Sequence, residues 1–193
     1  MTIKLTLPLD EKVLRSLTLG QQVELTGKIY TARDAAHKYF SEIEPASLPA
    51  ELNLQNAVIY HCGPVMVKKD NSWQVIAAGP TTSSREEPYM AKIIEKFSLR
   101  AVIGKGGMGK NTLEACKKFG CVYLHAVGGA AQLLANRIKK VTNVFFLDEF
   151  GAPEAVWELE VENFPAVLTM DANGNSLHEK VQNKAKEIYL GIS

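Results

Sequence analysis

Three segments of this 193-residue chain place cations where they could meet an anion, one of them among hydroxyls and two of them beside glycines. The run Gly79-Pro80-Thr81-Thr82-Ser83-Ser84-Arg85 follows an apolar stretch and precedes a helical pattern. It offers backbone N–H groups, hydroxyl donors and a guanidinium at one helix entrance. That set suits a carboxylate, because the Arg fork takes both oxygens while hydroxyls and amides satisfy the remaining lone pairs. The same run also reads as a capping sequence, Ser or Thr ahead of Glu86 and Glu87, with Arg85 solvated. A second group, Arg33-Asp34-Ala35-Ala36-His37, sits at a strand-to-helix junction, and its four-residue spacing puts Arg33 and His37 on one helix face. Equally, Asp34 can serve the helix dipole and His37 can be a surface residue. The third group is Gly104-Lys105-Gly106-Gly107-Met108-Gly109-Lys110-Asn111, where glycine neighbours leave little to shield Lys105 from a bound anion.

A glycine-rich turn between strand and helix is where anion-binding loops belong. Two nucleotide motifs nearly fit it. Gly104, Gly106 and Gly109 match G-x-G-x-x-G, but the region expected to supply a ribose-binding acid reads His125-Ala-Val-Gly128. Gly104 to Lys110 meets G-x-x-x-x-G-K and then fails at Asn111, which replaces the Mg²⁺-ligating hydroxyl. Asp148, after the apolar Val144–Leu147, resembles a metal-holding Asp; otherwise Asp148 and Glu149 merely cap a core strand. A P-loop-like nucleotide enzyme is therefore the rival from another class.

Alternation in Gln21–Tyr30 predicts a strand, and Thr31 an N-cap for a helix over Ala32–Ile43, closed by Pro45–Pro49. Short strands follow at Ala57–Tyr60 and Trp73–Ala78. Then come a helix over Glu86–Phe97, a strand at Arg100–Ile103, a helix over Thr112–Phe119 and a strand at Cys121–His125. A helix over Ala130–Arg137 and a strand at Val144–Leu147 complete the alternation. The tail returns to strands at Ala155–Val161 and Ala166–Met170, a turn from Asp171 to Gly174, and a helix near Leu177–Tyr189. This order implies right-handed crossovers and a largely parallel sheet. With no linker-like stretch, residues 1–193 read as a single α/β domain, a βαβ middle between β-rich ends.

Composition narrows the function classes. The chain is 46% hydrophobic and 22% charged, and Lys+Arg 22 against Asp+Glu 21 leaves a net charge of +1. Such balance gives no support to nucleic-acid binding as the main activity. No apolar run approaches the roughly 20 residues that span a bilayer, and Met1–Asp10 lacks a signal peptide's apolar stretch, so a cytoplasmic protein is expected. Cys62, Cys116 and Cys121 form no C-x-x-C pair. They read as buried free thiols, neither a disulfide framework nor a metal site of the chain's own.

Taken together, the segments resemble the β subunit of the class I, iron–sulfur-dependent fumarases and the related L-tartrate dehydratases. The matching stretches are Gly27-Lys-Ile-Tyr-Thr-Ala-Arg33-Asp34-Ala-Ala-His37, Gly63-Pro64, Gly79 to Arg85, Gly104-Lys105-Gly-Gly-Met108, Ala126-Val-Gly128-Gly129-Ala-Ala and Glu160-Val-Glu-Asn-Phe164-Pro165. They occur in order and cover most of the chain from Gly27 to Gly174. The resemblance implies the swivelling β/β/α fold of a fumarase C-terminal domain, and half an active site. In that family a partner α chain, or an N-terminal domain, holds a 4Fe–4S cluster through three Cys, so a hetero-oligomer of α and β chains is implied. The implied reaction is reversible hydration of a small dicarboxylate, fumarate to (S)-malate, with tartrate dehydration the alternative. By motif position, Arg33, Arg85 and Lys105 become substrate-carboxylate ligands, Thr81 the proposed general base, and Thr82 and Ser83 donors beside it. Asp34, His37, Gly106 and Gly107 become supports. The sequence departs from the family pattern at Tyr39, often Arg, and at Glu86, where an apolar Met commonly stands. An acid beside an anion site is expected to point away or pair with a cation.

Initial rates of fumarate hydration by the reconstituted enzyme separate the rivals. Lys105→Ala is expected to abolish activity while Lys110→Ala leaves it near the parent rate. The reverse pattern would favour the nucleotide reading.

Overall fold

The structure, a computed structural model, describes residues 2–191. Its elements are β1 (Ile3–Thr6), α1 (Glu11–Ser16), β2 (Gln22–Ala32), α2 (Asp34–Glu42), β3 (Val58–His61), β4 (Val65–Lys69), β5 (Ser72–Ala77), α3 (Glu87–Phe97), β6 (Ala101–Gly104), α4 (Lys110–Phe119), β7 (Val122–His125), α5 (Ala131–Ala135), β8 (Ile138–Phe145), α6 (Leu147–Phe150), β9 (Val156–Met170) and α7 (Leu177–Tyr189). A 3₁₀ turn, Ser83–Glu86, leads into α3.

The short apolar strands β3, β6 and β7 are buried on both faces, which suits a parallel sheet covered by helices. Their side chains sort with period two. Val58, Tyr60, Ala101, Ile103, Val122 and Leu124 join Leu25, Ile29, Trp157 and Phe164 in one core. Ile59, Val102 and Tyr123 face the other, beneath Phe40, Met90, Ile94 and Phe97 of α2 and α3. Strands β1, β2, β3, β6 and β7 run parallel in that order. The carboxyl ends of β2, β3, β6 and β7 therefore share one edge, from which Arg33, Cys62, Lys105 and Ala126 emerge.

Antiparallel β9 gives the sheet its β-rich side. Fifteen residues long, it pairs with β2, β8 and β7 in turn and so curls the sheet back on itself. The sequence reading divides it in two around Pro165. In the structure the strand continues, because Pro165 falls between its last partner on β8, at Val161, and its first on β7, at Val167. A missing N–H is tolerated where a strand has one neighbour.

Other differences have local causes. Thr31 does not cap α2: it lies inside β2, its hydroxyl accepts from the Trp157 N–H at 3.0 Å, and Arg33 takes the N-cap position. The predicted helix to Arg137 stops at Ala135, and Ile138–Phe145 is strand. Strand β8 is a sheet edge with mixed exposure, so its apolar period is faint. The stretch after it, read as the end of a strand, coils into α6. The two-stranded β4–β5 ribbon leaves Val65, Val67 and Ile76 exposed, a pattern that hid β4 from the sequence reading. No helix of the described residues is long and apolar enough to cross a membrane.

Gly104 closes β6 where no larger residue fits. A Cβ there would lie 1.8 Å from Ser83 Oγ and 3.0 Å from the Tyr123 hydroxyl. Gly104→Ala is expected to cost about 2–3 kcal/mol in a urea titration. An unchanged midpoint would contradict this packing.

Candidate functional site

The Thr81–Arg85 loop lies over the carboxyl ends of the parallel strands and is fastened there by hydrogen bonds. The Thr81 N–H donates to the His61 carbonyl at 2.7 Å, and the Ser83 N–H to the Lys105 carbonyl at 3.0 Å. Thr82 and Lys105 pair as a parallel bridge. The Ser83 hydroxyl is buried, 2.9 Å from His61 Nδ1, and accepts from the Tyr123 hydroxyl at 2.8 Å. Ser83 thus anchors the loop to β3 and β7. Thr81 and Lys105 are half-buried, while Thr82 and Arg85 are exposed. The Lys105 stem passes the turn after β7, its Cδ 3.6 Å from where a Gly128 Cβ would stand.

Arg33 joins this loop through its neighbour. Asp34 forms an ion pair with Arg85 Nη2. The Arg33 guanidinium lies 3.4 Å from Glu154 and packs over Gly63, where a Cβ would come within 2.7 Å of Arg33 Cδ and Nη1. Gly63 is thus required by the path of Arg33. His37 is not the surface residue that its spacing also allowed. Fully buried, its Nδ1 lies 2.8 Å from the Arg33 carbonyl, and its ring meets His61 edge-on at 4.7 Å. Gly106 and Gly107, both at φ +80°, turn the chain from Lys105 towards α4, a path favouring glycine.

Glu86 turns away from the side on which Arg85 emerges and makes no ion pair with a cation: it is fully buried, with Oε2 3.4 Å from His37 Nδ1 and no hydrogen-bond partner for either oxygen among the described residues. The 3₁₀ turn supplies the reason, since it rolls Arg85 outward and the next residue inward against α2. Burial pushes the Glu86 carboxyl up to about 7, Glu154 adding to the rise and Arg85 and Arg33 opposing it. Burial also holds His37 down to about 4. His61 lies well below the usual histidine value for the same reason, with His37 contributing. Both imidazoles are neutral at pH 7.

The glycine-rich loop has its own anion. Glu87 Oε2 accepts from the Gly109 N–H at 2.7 Å and the Thr112 hydroxyl at 2.7 Å, while Oε1 accepts from the Asn111 and Thr112 amides. An internal carboxylate therefore fills the α4 N-terminus, where a phosphate would sit in either nucleotide motif. Asp148 lies on α6, and among the described residues β8 before it pairs only with β9, separated from β6 by β9 and β7. Both nucleotide readings fail on this geometry.

No three His, Cys, Asp or Glu side chains gather as a metal site among the described residues. All three cysteines are free and buried, and burial pushes the Cys62 thiol up to about 12. Such thiols do not fit a cluster, which needs grouped thiolates. His61, Tyr123 and Glu154 escaped the sequence reading. His61 directly precedes Cys62-Gly63-Pro64 at a strand end, a usable signal; Glu154 carried none.

The family model described as Fumarase C-terminus matches residues 1–181. A protein of Geobacillus stearothermophilus named fumarate hydratase class I is 53% identical over 186 residues, 96% of this chain but 35% of that protein. The chain thus spans about a third of that relative. An L(+)-tartrate dehydratase subunit beta of Methanocaldococcus jannaschii, so named, is 47% identical over 180 residues, 93% of this chain and 92% of the relative. Its counterpart in Escherichia coli is 34% identical over 174 residues, 90% of this chain and 85% of the relative.

Glu87→Ala would leave the first turn of α4 uncapped. Urea titration is expected to show a loss of about 1–2 kcal/mol. A midpoint equal to the parent's would mean that the carboxylate does not hold the loop.

Proposed function

The chain belongs to the Fumarase C-terminus family, and from that premise we propose that it is the β subunit of a hydro-lyase acting on a small dicarboxylate. Fumarate hydration to (S)-malate is the favoured reaction. Dehydration of L(+)-tartrate is the second reading, favoured by relatives of that name that match nearly end to end. The observation that carries the proposal is the fastening of the Thr81–Arg85 loop to Lys105 while Arg85 pairs with Asp34, the residue beside Arg33.

Arg33, Arg85 and Lys105 bind the two carboxylates and stabilise the charge that develops when a proton leaves the neighbouring carbon. Thr81 is the general base, and the adjacent cations favour its ionised form. Thr82 is a neighbouring donor. Asp34 orients the Arg85 fork, and Gly106 and Gly107 let the backbone approach the substrate. The 4Fe–4S cluster belongs to an α partner in a cytoplasmic hetero-oligomer, and residues 1–193 serve as one domain within it. Exposed Val65, Val67, Ile76 and Val127 on the described surface support such a partner, as a shared site needs a stable interface.

The test is anaerobic reconstitution with the proposed α partner. Arg85→Ala is expected to lower fumarate and tartrate turnover by about 100-fold or more. Equal turnover by parent and variant would reduce the chain to a scaffold and overturn the proposal.

A further inference from the structure

Beneath the Thr81–Arg85 loop lies a polar cluster that the proposed chemistry does not use. Glu86 and His37 stand 3.4 Å apart and His61 meets the His37 ring edge-on, all three fully buried. Four of their polar atoms, both Glu86 oxygens and Nε2 of each histidine, have no partner among the described residues. Buried polar atoms are ordinarily paired, so a cluster left this open is costly to fold. A buried acid behind the cations of an anion site is harder still to explain as packing, because its ionised form opposes the ligand.

We propose that Glu86 is a positioning residue that sets the charge of the dicarboxylate site, its carboxyl gaining a proton from solvent as the substrate dianion binds to Arg33 and Arg85. The inference rests on the hydro-lyase reading. The charged and titratable groups around Glu86 are few. Arg85 shares its turn, Arg33 follows β2, His37 and the exposed Lys38 come from α2, His61 from β3, and Glu154 from the turn before β9. Asp34 is engaged with Arg85, and Glu87 of α3 with the start of α4.

The sign follows from these neighbours. Below about pH 7 Glu86 is neutral, and the guanidinium charges act on substrate undiminished. Above it, an anion lies behind them. A bound dianion spends the same positive field, so it raises proton affinity at Glu86, and by linkage its own binding weakens as pH rises. His37, neutral above about pH 4, cannot produce this dependence, nor can His61, which is lower than usual as well.

The experiment measures kcat and KM of the reconstituted αβ enzyme between pH 6 and pH 8.5, for parent and Glu86→Gln. The parent KM for the dicarboxylate is expected to rise roughly fivefold across the range, while Glu86→Gln holds the low-pH KM throughout, with kcat little changed. Thermal melting gives an independent reading. A carboxyl whose value rises on folding stabilises fully below its unfolded value, and that contribution is lost as pH climbs through the folded one. Glu86→Gln should therefore gain melting temperature relative to the parent between pH 5 and pH 8. Equal KM slopes in parent and variant would overturn the role of Glu86 and leave the hydro-lyase reading intact. No turnover of either dicarboxylate by the parent would overturn both, even where melting shows the buried carboxyl titrating.

Discussion

The Ser83 hydroxyl, shared between His61 and Tyr123, ties one loop to two strands, and its backbone N–H ties that loop to the chain after a third. His61 ends β3, Tyr123 lies within β7, and Lys105 follows β6. Gly104 makes room for the knot by lacking a side chain. In open parallel sheets, ligands bind beyond the carboxyl ends of the strands, where loops diverge and backbone groups are free. Here that edge receives Arg33, Lys105 and the Gly128 turn directly, and the knot brings in Thr81 to Arg85. Sequence distance between the cations is large, yet the topology leaves them on one side of the sheet.

Two adjacent acids show how the fold divides electrostatic labour. Glu87 faces the first turn of α4, where amides and a hydroxyl hold its charge. One residue earlier, Glu86 faces the His37 imidazole, which stays neutral and offers it no opposite charge. The 3₁₀ turn separates their directions. Without Glu87, the glycine-rich loop would be an unfilled anion site and the resemblance to a phosphate cradle would mean more. With it, the loop serves to turn the chain and to hold Lys105 towards the strand ends.

Much of the central architecture was legible because its physics is local. Strands β3, β6 and β7 announce themselves as short apolar runs, and α3 and α4 carry apolar stripes that stop at Ser98 and Gly120, both left-handed. Strand β8 is a polar edge, and β9 crosses a proline in a stretch with one neighbour, so their extents depend on pairing that no window of sequence contains. The segments of the site were legible for their glycines, hydroxyls and cations. Side-chain direction was not. Ser83, His37 and Glu86 could face solvent on sequence grounds, and only their rotation against the strand ends and α2 buries them.

A crystal structure of the αβ complex with a non-reacting dicarboxylate bound tests the convergence of the three cations most directly. The carboxylates should lie within hydrogen-bond distance of Arg33, Arg85 and Lys105, at the edge formed by β2, β3 and β6. A ligand seated at the start of α4, or on another face with those three side chains pointing apart, would contradict it.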